Sequence, residues 1–188
     1  MQDVPAARSG KRFTAKDIVL TALFAVVMAI CSWISIPMQV PFTLQTFGVF
    51  CALALLGGRR GFFSVAVYLA LGAVGAPVFA EFSGGMGALL GATGGYLWGF
   101  LAQALLYWAA EKWLPDKPVF RISAMVAGLI ACYAFGTAWF VVVYTHTASA
   151  VDVGTALSWC VIPFLIPDLL KLVLALILSR QVKKYVRI

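Results

Sequence analysis

The sequence predicts an all-α integral membrane protein, a bundle of six transmembrane helices with both termini cytoplasmic. Three observations carry this expectation. Of 188 residues, 63 % are hydrophobic and only 11 % charged, against about 45–50 % apolar and about 25 % charged in soluble domains. Apolar runs near the ~20 residues needed to cross a bilayer recur along the chain and leave no room for a soluble domain. Finally, the basic residues sort to one side of the membrane once six spans are drawn. One membrane domain over 17–180 is expected, with a cytoplasmic tail at 1–16 and a basic cytoplasmic tail at 181–188.

Residues 2–16 are polar, and Thr14 followed by Asp17 makes a capping-box-like helix start. The first helix is expected over about 17–36; Pro37 and Pro41 then break it, because proline lacks a backbone donor and restricts the residue before it. The run is longer than the h-region of a secretory signal and has no persuasive cleavage site after it, so it stays as a membrane helix. A second helix over about 44–57 is short for a span, which predicts a tilt or a loop, PMQVPFTLQ, that dips into the protein. GGRRG ends it as a turn, and a third helix covers about 62–79. The stretch EFSGGMGALLGATGG, 81–95, is too rich in glycine for continuous helix and predicts a long loop over the bundle. Helices over about 95–113 and about 122–144 flank a polar turn with Pro115, Asp116, Lys117 and Pro118. After a polar segment at 145–156, the sixth helix extends to about 179, with its regular part starting near Pro167. No internal repeat of the transporter kind is evident.

This layout places Arg8, Lys11, Arg12, Lys16, Arg59, Arg60, Lys112, Lys117, Arg121, Arg180, Lys183, Lys184 and Arg187 inside, thirteen of the fourteen basic residues. A wrong helix count would scramble that sorting. The net charge of +7 therefore reports topology, and without an extended basic patch it does not point to nucleic acid. Cys31, Cys51, Cys132 and Cys160 fall singly in apolar runs, which predicts small buried hydrophobes rather than disulfides or zinc ligands. His146, the only histidine, falls in an outer loop without a second ligand or a base partner, so neither a metal site nor a triad is expected. Glu81 and Asp152 are expected to be solvated loop residues.

The fourteenth basic residue is Lys171, in the run FLIPDLLKLVLALIL at 164–178, where Asp168 is the only other charge. A charge at the centre of a membrane helix costs about 2.5–3.5 kcal/mol, so such residues mark functional sites by default. At i and i+3 the two share one helix face. The pair predicts either a structural ion pair that locks the last helix to the bundle or a polar ligand site with an acceptor beside a donor. Counting back from Arg180 puts Asp168 about 18 Å and Lys171 about 13 Å above the inner interface. On the same outer side, Thr43 and Gln45 supply neutral hydrogen-bonding groups, and Tyr96 and Trp98 supply aromatic rings with polar tips; Trp98 also fits an interfacial belt. Mostly apolar walls with a few convergent polar groups are typical of small-molecule sites. GATGG has no lysine and lies outside, so it is not a nucleotide loop. Thr21, Ala25 and Ala29 form a small-residue stripe that suits close helix packing, within the bundle or against a partner.

Taken in order, VPFTLQTFGV (40–49), GAPVFAEFSGG (75–85), GATGGYLWGF (91–100) and PDLLK (167–171) resemble the BioY family, the biotin-binding S-components of energy-coupling factor transporters, over about residues 15–182. The resemblance implies the six-helix S-component fold in a bacterial cytoplasmic membrane. It implies high-affinity capture of biotin from outside, with import driven by a transmembrane coupling protein and a pair of ABC-type ATPases as the S-component topples to release its ligand. It implies no enzyme activity and no cofactor, and the absence of a G-x-x-x-x-G-K-[ST] loop agrees that the chain does not itself hydrolyse ATP by P-loop chemistry, so no ATP site is expected in it. The resemblance also raises Ala25 and Ala29 to a docking contact for the coupling protein. Asp168 as acceptor and Lys171 as donor complement the ureido ring of biotin, while Tyr96, Phe42 and Phe47 are candidate apolar walls. Two departures bear on the ligand's carboxylate end: Ala92 replaces the more usual proline of GPTGG, and Met86 stands where some members carry a basic residue. The rival expectations are an S-component for another small vitamin, a small membrane enzyme using Asp168 and Lys171 as acid and base, and a structural membrane subunit. The ATPase module is dedicated, shared or absent, and a homo-oligomer is compatible with each.

Overall fold

The computed structural model describes residues 13–38 and 40–185. Arg8, Lys11, Arg12 and Arg187 of the topology argument, and with them most of the N-terminal tail, lie outside the described residues. Helix α1 (Ala15–Trp33) starts where the capping box predicts: Asp17 N donates to Thr14 Oγ1 at 3.2 Å and Thr14 N to Asp17 Oδ2 at 2.9 Å. After α1 the expected loop contains a small antiparallel hairpin, β1 (Ser35–Ile36) with β2 (Phe42–Thr43), in the register Ser35 opposite Thr43. The prolines sit in its connection, where no ladder donor is required.

Helix α2 (Gln45–Leu56) is about 18 Å long at about 1.5 Å per residue, short of a ~30 Å hydrocarbon core. It is apolar all round because it is buried all round, packed against α1, α3 and α8 at the centre of the bundle. Gly57, at φ 80°, turns the chain straight into α3 (Gly58–Ala73). The expected GGRRG turn thus shrinks to one glycine, and Arg59 and Arg60 stand in the first turn of α3, where Arg60 Nε pairs with Asp17 Oδ1 at 2.6 Å. The helix also ends earlier than its predicted limit of 79, because Gly75 takes φ 98° and Pro77 cannot continue it.

Between α3 and the next long helix lie a 3₁₀ turn at Ala80–Phe82 and the one-turn α4 (Met86–Leu90). The long loop expected at 81–95 therefore has structure of its own. Helices α5 (Gly94–Trp113) and α6 (Pro118–Thr147) form an extensive antiparallel pair. Their backbones approach closely at Gly99, where a Cβ would stand 2.7 Å from Cys132 Sγ, and at Gly128, where it would stand 2.8 Å from Gln103 Cγ. Asp152 caps α7 (Val153–Cys160) by accepting from Gly154 N at 2.8 Å, instead of being a plain loop residue. Helix α8 (Ile162–Tyr185) starts a turn and a half before Pro167, since Pro163 is already tolerated in its first turn. His146 lies in the last turn of α6 rather than in a loop.

Every expected helix window contains a helix, and three stretches are long and apolar enough to cross a membrane by themselves: Ala15–Trp33, Pro118–Thr147 and the α7–α8 run Val153–Tyr185. The chain is a multi-pass membrane protein. All four cysteines are buried and free. The small-residue stripe of α1 is consumed inside the fold: Ala25 is 1 % and Ala29 5 % exposed, in the core with Met28, and Met28 touches Gly48 of α2. The face of α1 turned outward is Ile18, Leu23, Val26 and Ile30. Small residues there let α1 sit close on α2 and α3.

Candidate functional site

At one end of the bundle the hairpin, the α4 segment, the first turn of α2, the first two turns of α5, the middle of α6 and the first three turns of α8 surround a cavity of about 540 Å³, within the about 300–1,000 Å³ usual for small-molecule sites. Asp168 and Lys171 lie on its wall, 2 % and 5 % exposed. They form an ion pair, Lys171 Nζ to Asp168 Oδ1 at 2.7 Å, on one face of α8 as their spacing predicts.

The pair is embedded in a network that ties α8 to two other elements. Lys171 Nζ also donates to the Thr43 carbonyl at 2.6 Å and to Thr46 Oγ1 at 3.2 Å. Thr46 Oγ1 in turn donates to Asp168 Oδ1 at 2.9 Å, and the Tyr133 hydroxyl of α6 donates to Asp168 Oδ2 at 2.6 Å. An ammonium has three protons, so Lys171 is fully engaged. A carboxylate offers about four lone-pair directions and three are taken, so Asp168 keeps one, on Oδ2. The cavity wall thus carries a net-neutral pair with one strong acceptor direction still open. In this arrangement Lys171 serves a ligand as donor by exchanging an internal contact. The two sequence-level readings, structural lock and ligand site, converge on the same atoms.

Thr43, Gln45 and Tyr96 line the cavity as expected. Gln45 Nε2 donates to the Tyr68 hydroxyl at 2.6 Å, and Tyr68 donates onward to the Val78 carbonyl at 3.0 Å. That leaves the Gln45 carbonyl oxygen without a partner among the described residues. Tyr96 is held by Thr137 Oγ1 at 2.9 Å, its ring lying directly on Gly136 of α6. Phe42 stands beside the cavity instead of on its lining: its ring stacks on Phe164 at 5.8 Å and faces Lys171 Nζ at 4.3 Å, a cation–π contact. Phe47 is not brought to the site. One residue past Thr46, it is rotated by about 100° around α2 and packs against the core. Trp98 donates to the Leu89 carbonyl at 3.2 Å and so braces α4, off the lining.

Thr46 and Tyr133 are the polar contributors that sequence reasoning missed. Both left a signal: Thr46 follows Thr43 by three residues, and Tyr133 is a hydroxyl in the middle of an apolar span, away from either interfacial belt. Cys132 and Cys160 also line the cavity, among aromatic walls that include Phe79, Phe100 and Phe164. At its edge Glu81 lines the cavity and is not a plain solvated loop residue. Glu81 and Phe82 both take φ 57°, a left-handed conformation that costs non-glycine residues of order 1–3 kcal/mol each. It is held by the stacking of Phe82 on Trp33 at 5.2 Å and by Phe79 N donating to the Ser83 carbonyl at 3.0 Å.

Comparison with known proteins shows the family and the fold. The model of the BioY family matches residues 6–188. The biotin transporter BioY of Thermotoga maritima is 40 % identical over 172 residues, covering 90 % of this chain and 96 % of that protein. The probable biotin transporter BioY of Pyrococcus horikoshii is 35 % identical over 170 residues, covering 90 % and 97 %. In fold, the chain is similar to a crystal structure of the S-component for biotin from an ECF-type ABC transporter, with a TM-score of 0.79 at 24 % identity, covering 93 % of this chain and 96 % of that one.

Proposed function

This chain belongs to the BioY family, and we propose that it binds biotin in the 540 Å³ cavity and mediates its uptake across the cell membrane. It acts as a transport subunit, not as an enzyme. The observation that carries the reading is the neutral acceptor–donor pair on the wall of an otherwise largely apolar and aromatic cavity. The ureido ring of biotin has two N–H donors and one carbonyl acceptor. One N–H takes the open direction on Asp168 Oδ2. The second N–H suits the unpartnered carbonyl oxygen of Gln45. The carbonyl takes a proton of Lys171 in exchange for its longest internal contact, the 3.2 Å bond to Thr46 Oγ1. The fused rings and the chain of the ligand meet Tyr96 and the phenylalanine walls, where apolar burial contributes about 25 cal/mol per Å².

In this reading the chain crosses the membrane six times with both termini in the cytoplasm, and the ligand cavity faces outward. Residues 17–180 form the binding domain between short tails. No ATP or other cofactor is bound by this chain; a transmembrane coupling protein and a pair of ABC ATPases supply the energy. Titration of the purified protein with biotin, and separately with thiamin and riboflavin, tests the proposal. Saturable one-to-one binding of biotin alone is expected. A folded protein that ignores biotin and binds another vitamin would remove biotin as the ligand while leaving the family intact.

A further inference from the structure

At the end of the bundle opposite the ligand cavity, a second cavity of about 350 Å³ opens between α2, α5, α6 and α8. Met125 and Leu176 give it apolar walls, while Arg121, Arg180 and Lys183 converge on it from two helices with a single acid, Asp116. Asp116 pairs with Arg121. Lys183 donates to the Ala54 carbonyl at 2.8 Å, in the last turn of α2, and keeps two protons for other acceptors. Arg180 has neither a hydrogen bond nor an ion pair among the described residues. Tyr107, only 3 % exposed, lines the same cavity, and its hydroxyl is also without a hydrogen bond among the described residues. Helix α6 begins here at Pro118 with no side chain capping its first turn, so its positive dipole end adds to the field.

Three cations stand against Asp116 and against Glu111, which lines the adjoining cavity with Tyr107, Asp116 and Arg121, and this leaves one net positive charge beside an apolar wall. The complement is an anion with several acceptor oxygens and a hydrophobic remainder. We propose that this cavity binds a phosphate ester, with the phosphate on Arg180, Lys183 and Tyr107, and that its source is an anionic phospholipid whose chain lies along Met125 and Leu176. Basic pockets between membrane helices on the cytoplasmic side are where such headgroups bind. A soluble phosphate ester offers the same oxygens without using the apolar wall. The proposal stands apart from the biotin reading, because the two cavities share no lining residue.

The test is native mass spectrometry of the full chain released from detergent micelles containing phosphatidylglycerol or phosphatidylcholine, with inorganic phosphate as a third probe. Phosphatidylglycerol should be retained in preference to phosphatidylcholine. Arg180→Gln should weaken its retention about fivefold, and Arg180→Gln with Lys183→Gln about thirtyfold, the fold-change that corresponds to about 1 kcal/mol per cation. Biotin binding should be unchanged in both variants, which also certifies their fold; Arg180 makes no internal contact whose loss would unfold the protein. Saturable binding of inorganic phosphate, lost in the double variant, would uphold the site with a soluble source. Retention of both lipids alike, or equal retention by wild type and double variant with no phosphate binding, would overturn it.

Discussion

Replacing Asp168 by Asn keeps the shape of the side chain and removes its charge. In the native site Asp168 accepts from Lys171, Thr46 and Tyr133 and has one direction left for the ligand. An amide has one oxygen and one NH₂ group. If the oxygen stays with Lys171 and Thr46, the NH₂ group replaces Oδ2 and faces both the Tyr133 hydroxyl and the ligand N–H. Tyr133 can rotate its proton away and accept; a ureido N–H cannot. The ligand therefore loses a hydrogen bond to a charged acceptor, worth about 1.5–3 kcal/mol, and meets a donor in its place. The expected loss of biotin affinity is at least about tenfold and up to about 150-fold, at about 1.4 kcal/mol per factor of ten. Calorimetric titration in detergent measures it, with thermal unfolding of the unliganded protein as the control for folding. A folded Asp168→Asn protein that binds biotin within about threefold of wild type would refute the assignment of Asp168 as the ligand's acceptor.

Lys171→Met should act first on stability: it leaves the buried Asp168 carboxylate without its counter-ion and unties α8 from Thr43 and Thr46, at a cost of about 3–5 kcal/mol, seen as a lower unfolding midpoint even without ligand. Tyr133→Phe removes one donor to Asp168 Oδ2 without touching the ion pair, so it should lower affinity less than Asp168→Asn in the same titration; an equal or larger loss would give Tyr133 a direct ligand contact. Ala25→Leu should destabilise the isolated protein by about 1–3 kcal/mol, because the added atoms enter the packed core. Unchanged stability combined with loss of coupling-protein binding would instead return Ala25 to a docking face. Gly99→Val should lower both the unfolding midpoint and biotin affinity, since the α5–α6 contact it forces apart lies beside Cys132 and Tyr133.

Periodicity, composition and charge were enough to place the helices, because a membrane span must satisfy its own backbone and show lipid an apolar surface. The Thr14–Asp17 cap, the shortness of α2 and the exceptional status of Asp168 and Lys171 all follow from local chemistry in the chain. Helix ends were less legible. The close of α3 at Gly75 and the early start of α8 depend on which residues accept a left-handed or proline conformation once their neighbours are packed. The stripe of Thr21, Ala25 and Ala29 announced a close approach without saying to what, since a small residue looks the same whether a helix of the same chain or of a partner lies against it. The direction of Phe47, a single residue from Thr46, turned on the rotation of α2 about its axis.

What the sequence determined by itself is therefore a helical membrane protein with a charged pair on one face of its last helix, because spacing along a helix converts directly into direction. Only the tertiary structure decided how that pair is used. Thr43 arrives through a hairpin, Thr46 through α2 and Tyr133 through α6, from positions as far as 128 residues away in the chain. Together with the bond between Lys171 and Asp168 they occupy every proton of Lys171 and all but one direction of Asp168, and that count of open directions depends on neighbours that sequence spacing does not reveal.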